Sequence, residues 1–286
     1  MDKLLQKFIQ TLQEQGKSNS TVIAYQKDIE QLIVYLKAKN FKDFKKIEKS
    51  DLDLYIKTLL SKGEFSIKTV SRKLNSIKTF FKFLLSIGSV KGNASADIRH
   101  PKFETKMPRI LSKQEYMALR DSSKNNQRTY VIIELLLQTG IRIGELSRLK
   151  VEDLHLKGNP AKITISKYAS CVERTIEISD SIKKLLEQAI ENKKNPKDYL
   201  FTTKTTKPLL IRNIRSTIDR HFEKAEIENS TVNDIRNTFI VLELKNGIDI
   251  KFLASYVGHE RLTSTQKFVK EFKISPLGNK RKIVEL

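Results

Sequence analysis

One stretch of the chain, residues 135–150, constrains the fold more than any other. It reads LLLQTGIRIGELSRLK, an apolar helical run that passes through Gly140 to Arg142 and then to Glu145. Glycine often ends a helix because it adopts the left-handed conformation without a steric penalty. Such a turn sets an arginine at the end of a buried helix beside a carboxylate, and a guanidinium held in this way suits a phosphate. The alternative is a helix-turn-helix with an ordinary surface arginine.

Two motifs further along the chain change the interpretation of this turn. Residues 233–239 read NDIRNTF and open a predicted helix, and residues 258–268 read GHERLTSTQKF. Together with TGIRIGEL at residues 139–146, they resemble the tyrosine recombinase (phage integrase) family. Members of that family carry an arginine, a lysine on a β-hairpin, a His-x-x-Arg motif, a Gly-His pair and a tyrosine nine residues after that histidine. The order and spacing match over most of the C-terminal two-thirds of the chain.

The sequence departs from the family pattern at two positions. Asn233 stands where the family usually has a histidine, and Phe268 stands where it has its nucleophilic tyrosine. Phenylalanine keeps the ring but lacks the oxygen that attacks phosphorus, so this chain is expected to bind DNA without cleaving it. Two explanations are open, a tyrosine-to-phenylalanine replacement made in the protein or a naturally silent member of the family. The first is favoured because the rest of the motif set is present.

The resemblance implies that one constellation of side chains acts on a single phosphodiester. Its members are Arg142, Lys167, Asn233, Arg236, His259 and Phe268 at the nucleophile position, with Glu145 behind Arg142. The two arginines would bind the non-bridging oxygens, and the lysine would protonate the leaving 5′ oxygen. The alternatives are a solvent-exposed turn lysine at 167, a helix-cap histidine at 259 and an asparagine that caps the helix of Arg236.

The chemistry that the family implies needs no cofactor, because a 3′-phosphotyrosyl bond retains the energy for rejoining the strand. The composition indicates none either: the four histidines lie far apart, Cys171 is the single cysteine, and no Gly-x-x-x-x-Gly-Lys loop is present. No metal site is therefore expected. A lone cysteine fits a reducing cytoplasm, and the sequence has neither a signal peptide nor a long apolar segment, so a cytoplasmic protein without a membrane partner is expected.

The charge balance indicates a polyanionic partner. The 286 residues carry a net charge of +21, with a pI of about 9.8, and so large a charge opposes compaction unless a polyanion lies against it. The fourth predicted helix, at 67–87, has one apolar face and one basic face, and it contains no carboxylate. An alternative is that the basic face is simply solvated. DNA contact is predicted for Lys68, Arg72, Lys73 and Lys78.

The pattern of elements predicts a mainly α-helical chain with a small β-sheet. Four helical segments fill residues 1–98, interpreted as a helical DNA-binding (core-binding) domain, and a basic, proline-containing stretch at 99–110 is interpreted as a linker. Residues 111–286 combine helices with two alternating β runs and are interpreted as an α+β catalytic domain. The resemblance adds a C-terminal tail helix to that domain.

The resemblance also implies a function, that of a small, Xer-like site-specific recombinase. Its partner would be double-stranded DNA at a specific recombination site, bound by a homotetramer, with the C-terminal tail as a candidate contact between protomers. Two alternatives stay open, a naturally silent DNA-binding or architectural protein and a type IB topoisomerase-like enzyme that works on one duplex. Chromosome dimer resolution, transposition and phage integration all stay open as its biological role.

Overall fold

The protein forms two compact units, Met1–Lys106 and Met107–Leu286. The computed structural model describes residues 1–104, 107–167, 172–193, 195–203, 205, 207–275 and 278–284. The predicted class, mainly helical with a small sheet, is confirmed. The division between the units falls within the stretch interpreted as a linker, while the domain bounds 1–98 and 111–286 stay predictions.

The first unit is built from four helices around an aromatic core. Its helices are α1 (Asp2–Glu14), α2 (Asn19–Ala38), α3 (Lys49–Ser61) and α4 (Ile67–Ser86). The hydroxyls of Ser18 and Ser66 accept hydrogen bonds from backbone N–H groups three residues on, which explains where α2 and α4 begin. Phe80 lies at the centre of the core, and its ring meets those of Phe8 and Phe44 edge-on at 5.1 Å.

The second unit packs helices against a small antiparallel sheet. Its helices are α5 (Lys113–Ser122), α6 (Gln127–Thr139), α7 (Ile143–Leu146), α8 (Asp180–Ile190), α9 (Ile211–Lys224), α10 (Val232–Lys245), α11 (Ile250–Tyr256) and α12 (Thr263–Glu271). Its strands are β1 (Leu154–His155), β2 (Lys162–Ile165) and β3 (Arg174–Glu177), in the order β1-β2-β3. The short β1 was not predicted. Ile165 pairs with Arg174 as the last residue pair of the β2–β3 hairpin, before the turn.

The helix α6 lies in the core of the second unit, and the turn that ends it strongly favours glycine. Nearly all of α6 is buried, including a continuous run from Val131 to Thr139. Gly140 then adopts a left-handed conformation, with φ of +58°. A Cβ at this position would lie 2.4 Å from the ring of Phe239 on α10. Backbone conformation and close packing therefore both favour glycine at position 140, two residues before Arg142.

The prediction of a C-terminal tail helix is wrong for the residues that the structure describes. The helix α12 ends at Glu271, and the described residues after it form no helix. Gly278 crosses Gly247 so closely that a Cβ would lie 2.3 Å from the Gly247 carbonyl oxygen. The Val284 N–H donates to the buried Glu243 carboxylate at 3.1 Å. Backbone groups that a helix would pair internally are used here to attach the segment to its own unit.

Candidate active site

Three arginines from distant parts of the second unit donate to one end of α11. The carbonyl oxygens of residues 256, 257 and 258 accept hydrogen bonds from Arg174, Arg236 and Arg142, at 2.7, 2.7 and 2.8 Å respectively. The last carbonyls of a helix have no donor within the helix, so they are available to such groups. Residues 256–258 are called the arginine anchor below. The anchor brings together Arg142 and Arg236, the two arginines that the motifs singled out.

Each of the first two arginines is placed by the turn or helix on which it lies. Arg142 immediately precedes α7, and its guanidinium also reaches the Val257 carbonyl at 3.4 Å. Arg236 lies near the start of α10 and donates to the Gly140 carbonyl as well as to the anchor. The glycine turn, α7, α10 and the end of α11 therefore meet at one point. The catalytic roles of the two arginines stay predictions.

Glu145 is the carboxylate of this cluster, and it serves two arginines. Its fully buried side chain accepts from Arg142, through the backbone N–H at 2.8 Å and the guanidinium at 3.2 Å. The Arg174 guanidinium donates two further hydrogen bonds to the Glu145 carboxylate, at 2.8 and 3.0 Å. Burial alone would raise the pKa of Glu145, but the hydrogen bonds and charges of Arg174 and Arg142 outweigh burial and lower it to about 2. Glu145 is therefore ionised in the folded protein.

Arg174 is the member of the cluster that the sequence did not reveal. It opens β3, and its alternating context is typical of a half-exposed strand, yet only 8% of its side chain is exposed. Gly258 accommodates it, because a Cβ at Gly258 would lie 2.6 Å from its guanidinium nitrogen. The only sequence signal that could have identified Arg174 is its place directly after the turn that carries Lys167.

His259 follows the anchor and is held as a neutral ring. Its Nδ1 lies 2.8 Å from the hydroxyl of the fully buried Thr265, so the ring bonds a side chain, whereas the helix-cap alternative expected it to bond the backbone. Burial and the positive charges of the three arginines lower the pKa of His259 to about 4. Near pH 7 the ring is therefore an uncharged hydrogen-bonding group.

Lys167 and Asn233 are both exposed, and Lys167 borders a cavity that it shares with Glu145. Lys167 lies just after β2, and the cavity has a volume of about 290 Å³. Asn233 is exposed in the first turn of α10. The idea that Asn233 caps that helix is wrong, because Thr231 is the capping residue and donates through its N–H and its hydroxyl to Asp234, at 2.8 Å each. The Asn233 side chain is thus not used as a cap.

Phe268, at the position where the family has its nucleophile, lies on α12. Its side chain is only 8% exposed and belongs to the apolar core of the second unit. A ring without a hydroxyl needs no polar partner there, whereas a buried tyrosine usually needs one. The packing therefore suits phenylalanine in this conformation.

The basic face of α4 is paired with a carboxylate, although the helix itself contains none. Asp28 on α2 is almost fully buried and accepts from Arg72 at 2.6 and 2.9 Å, from Lys73 at 3.0 Å and from Ser76 at 2.7 Å. Two of the four basic residues are therefore paired with one carboxylate from another helix, which offsets one of their two positive charges. The Lys73 side chain is only 7% exposed, and its ammonium faces inward. Lys68 is exposed, and Lys78 is half-buried and donates to the Ala96 carbonyl.

Comparison with known proteins gives matches over both units. Residues 106–273 match the model of the Phage integrase family, and residues 5–88 match that of the Phage integrase, N-terminal SAM-like domain. The chain is 30% identical over 274 residues to a tyrosine recombinase of Pseudothermotoga lettingae, covering 94% of each chain. It is 27% identical over 289 residues to the tyrosine recombinase XerD of Staphylococcus haemolyticus, again covering 94% of each.

Solved structures show the same fold. A lambda integrase dimer bound to a COC' core site matches with a TM-score of 0.74 and 17% identity, covering 100% of this chain and 99% of that one. The lambda integrase tetramer bound to a Holliday junction also matches with a TM-score of 0.74 and 17% identity, covering 99% and 80%. No helix among the described residues is long and apolar enough to cross a membrane.

Proposed function

Because the chain belongs to the phage integrase family of tyrosine recombinases, we propose that it is a site-specific recombinase of double-stranded DNA whose cutting step requires a tyrosine at position 268. The observation that carries this proposal is the cluster of three arginines at the arginine anchor. Three guanidinium groups meet here, with the ionised carboxylate of Glu145 and the neutral ring of His259 beside them. A phosphodiester carries one negative charge and two non-bridging oxygens, which such a cluster binds well.

The cutting step proposed for these residues is the one that the family resemblance implies. A tyrosyl oxygen at position 268 gives up its proton to solvent and attacks phosphorus, the bond from phosphorus to the 5′ oxygen breaks, and Lys167 gives the departing oxygen its proton. Arg142 and Arg236 bind the non-bridging oxygens, and His259 adds a hydrogen bond. The 3′-phosphotyrosyl bond that remains is reversed when a 5′ hydroxyl attacks it, so no cofactor enters. Phe268 supplies no oxygen, and the present sequence therefore holds DNA without forming that bond.

The affinity for duplex DNA is assigned in part to the basic face of α4. Lys68 is exposed and Arg72 is 46% exposed despite its pairing with Asp28, whereas Lys73 is buried. Lys68→Ala should make the slope of log affinity against log salt shallower by about 0.9 if it removes one phosphate contact. Lys73→Ala is the control: once circular dichroism shows that it keeps its fold without the ion pair to Asp28, it should leave the slope unchanged. Equal slopes for Lys68→Ala and the parent would remove Lys68 from the interface.

The decisive experiment restores the nucleophile. Duplexes that the protein binds are first selected from a randomised pool, and nicked versions of them are then incubated with the Phe268→Tyr variant. A covalent adduct that survives denaturing electrophoresis and is released by protease is expected, without added metal or nucleotide. Arg142→Ala in the same background should bind DNA within about tenfold of its parent but cleave at least about 10²-fold more slowly.

The outcome separates the proposal from its main rival. Phe268 is itself the observation that favours a silent DNA-binding protein. If Phe268→Tyr gives no adduct on a duplex that it binds tightly, the recombinase proposal fails and the silent protein takes its place. Adding Asn233→His to the active variant tests the second departure from the family, and faster cleavage is expected if an imidazole serves better than the exposed amide of Asn233.

The proposed assembly is a homotetramer that joins two duplexes in the cytoplasm. Its support is the common fold with lambda integrase, for which a tetramer on a Holliday junction is known. Sizing of the protein bound to its selected duplex measures this directly. Tetramers that contain two duplexes are expected, whereas single protomers that relax supercoiled DNA without joining two duplexes would point to the topoisomerase-like alternative.

A further inference from the structure

Arg174 lies where the hairpin of Lys167 meets the arginine cluster. The last pair of the β2–β3 hairpin is Ile165 with Arg174, and Lys167 is two residues beyond Ile165. Arg174 therefore lies in β3, the strand that follows the Lys167 turn, and it also contacts the arginine anchor through the Tyr256 carbonyl. Whatever holds the Arg174 side chain also holds the base of that turn.

The Arg174 side chain is held by three hydrogen bonds in two directions. Its Nε donates to the Tyr256 carbonyl at 2.7 Å, and its two terminal nitrogens donate to the two oxygens of Glu145 at 2.8 and 3.0 Å. A guanidinium is planar and rigid, so bonds from three of its nitrogens fix its position and its orientation together. Gly258 closes the third side, since even a methyl group there would overlap the guanidinium.

Glu145 links Arg174 to Arg142. The same carboxylate accepts from the backbone and the guanidinium of Arg142. It also lines the cavity of about 290 Å³ that Lys167 borders. The chain of contacts therefore runs from Arg142 through Glu145 to Arg174 and, through the last pair of the hairpin, to the strand end that precedes Lys167.

We propose that Arg174 is a positioning residue, which fixes the hairpin of Lys167 on the arginine cluster and so sets the place from which the lysine protonates the leaving oxygen. This inference rests on the proposed recombinase function. It assigns to Arg174 no contact with DNA. A proton donor transfers efficiently only within hydrogen-bond reach of its acceptor, so a small displacement of the hairpin should reduce the rate strongly.

A substrate that needs no proton donor tests this role. In the Phe268→Tyr background, a selected duplex is compared with the same duplex carrying sulfur in place of the bridging 5′ oxygen. In both, the tyrosyl oxygen forms its bond to phosphorus. The sulfur leaves as a thiolate when the phosphorus–sulfur bond breaks, because a thiol ionises near pH 8.5 whereas an alcohol stays protonated. Loss of a correctly placed proton donor should therefore slow cleavage of the oxygen substrate but not of the sulfur substrate.

The expected pattern is selective rescue. Lys167→Ala and Arg174→Gln should each slow cleavage of the oxygen substrate by about 10²-fold or more, and both should return to within about tenfold of the parent on the sulfur substrate. Arg142→Ala should stay slow on both substrates. Adding Arg174→Gln to Lys167→Ala should change the oxygen rate by less than about threefold, because two changes that act through one group are not additive.

Two further variants guard against misfolding and unspecific effects. Arg174→Lys keeps the positive charge but cannot make all three hydrogen bonds of the guanidinium. If thermal unfolding shows that Arg174→Gln does not fold, Arg174→Lys is used in its place. Arg128→Gln is the control. Arg128 also donates to a carbonyl, that of Thr202, but it lies at the opposite end of α6 from Gly140, about 18 Å away at 1.5 Å per residue. This variant should cleave both substrates within about twofold of the parent.

Failure of the inference and failure of the proposed function look different. If the Phe268→Tyr parent cleaves neither substrate, the recombinase proposal itself is wrong. If the parent and Lys167→Ala behave as described but sulfur does not rescue a folded Arg174 variant, the inference is overturned, and Arg174 acts on Arg142 and the anchor instead.

Discussion

Replacing Glu243 with glutamine should stabilise the second unit, and the gain should depend on pH. Glu243 lies on α10 with none of its surface exposed, and it accepts a hydrogen bond from the Val284 N–H at 3.1 Å. Burial raises the pKa of Glu243 to about 7, and the hydrogen bonds that it accepts offset only part of that rise. Because the same carboxyl ionises near 4.5 in the unfolded chain, its ionisation favours unfolding.

The magnitude follows from the two pKa values. The difference between 4.5 and about 7 is about 2.5 units, or about 3 kcal/mol at 1.36 kcal/mol per unit. This destabilisation is absent below pH 4.5, grows as the pH rises to 7 and is complete above that. Glutamine never ionises, although it is a weaker acceptor for the Val284 N–H. The net gain expected for Glu243→Gln is therefore about 2 kcal/mol at pH 8, with little or none at pH 4.

Denaturant unfolding followed by circular dichroism at a series of pH values measures the free energy of unfolding of both proteins. The other titrating groups are shared, so they cancel in the difference between variant and parent. Glu228→Gln is the control, because Glu228 is exposed and its replacement should have only a small effect on stability. A difference for Glu243→Gln that does not grow between pH 5 and 8 would refute the reasoning that burial of this carboxyl opposes folding.

Three shorter predictions concern other buried groups. Asp28→Asn leaves the buried Lys73 ammonium without its counterion and should lower the free energy of unfolding of the first unit by about 3–5 kcal/mol, and a loss below about 1 kcal/mol in denaturant unfolding would contradict this. Gly140→Ala should cost at least about 2 kcal/mol from its left-handed φ and its overlap with Phe239, and an unchanged melting temperature would count against that packing. His259 should titrate near pH 4 by NMR, since burial and the three arginines oppose its charge, and a midpoint near 6.5 would show that the ring is not enclosed.

What the sequence predicted well was local. The helix predicted at 67–87 begins at Ile67 as expected, because its start depends on a hydrogen bond between Ser66 and the N–H of Thr69, three residues on. The glycine at 140 was interpreted correctly as a helix-ending turn for the same reason. The strand β1 was missed because a segment of two residues shows no alternation that could be recognised.

What the sequence did not predict depends on partners that are far apart along the chain. Asp28 lies 44 residues from Arg72, and nothing in the pattern of either helix indicates that they pair. Arg174 lies 29 residues from Glu145, and it occupies a strand position at which an exposed arginine is ordinary. The tail was expected to be a helix from resemblance alone, whereas the crossing of Gly278 over Gly247 is decided by tertiary packing.

The arginine anchor also has a consequence for the synthesis of the second unit. The three arginines precede residues 256–258 in the chain, so synthesis from the N-terminus delivers the donors first and their shared acceptors last. Until α11 has been made, the guanidinium groups that will meet there lack the carbonyls that hold them. A chain cut short before residue 256 is thus expected to be poorly ordered, because all three arginines lose a hydrogen-bond acceptor at once.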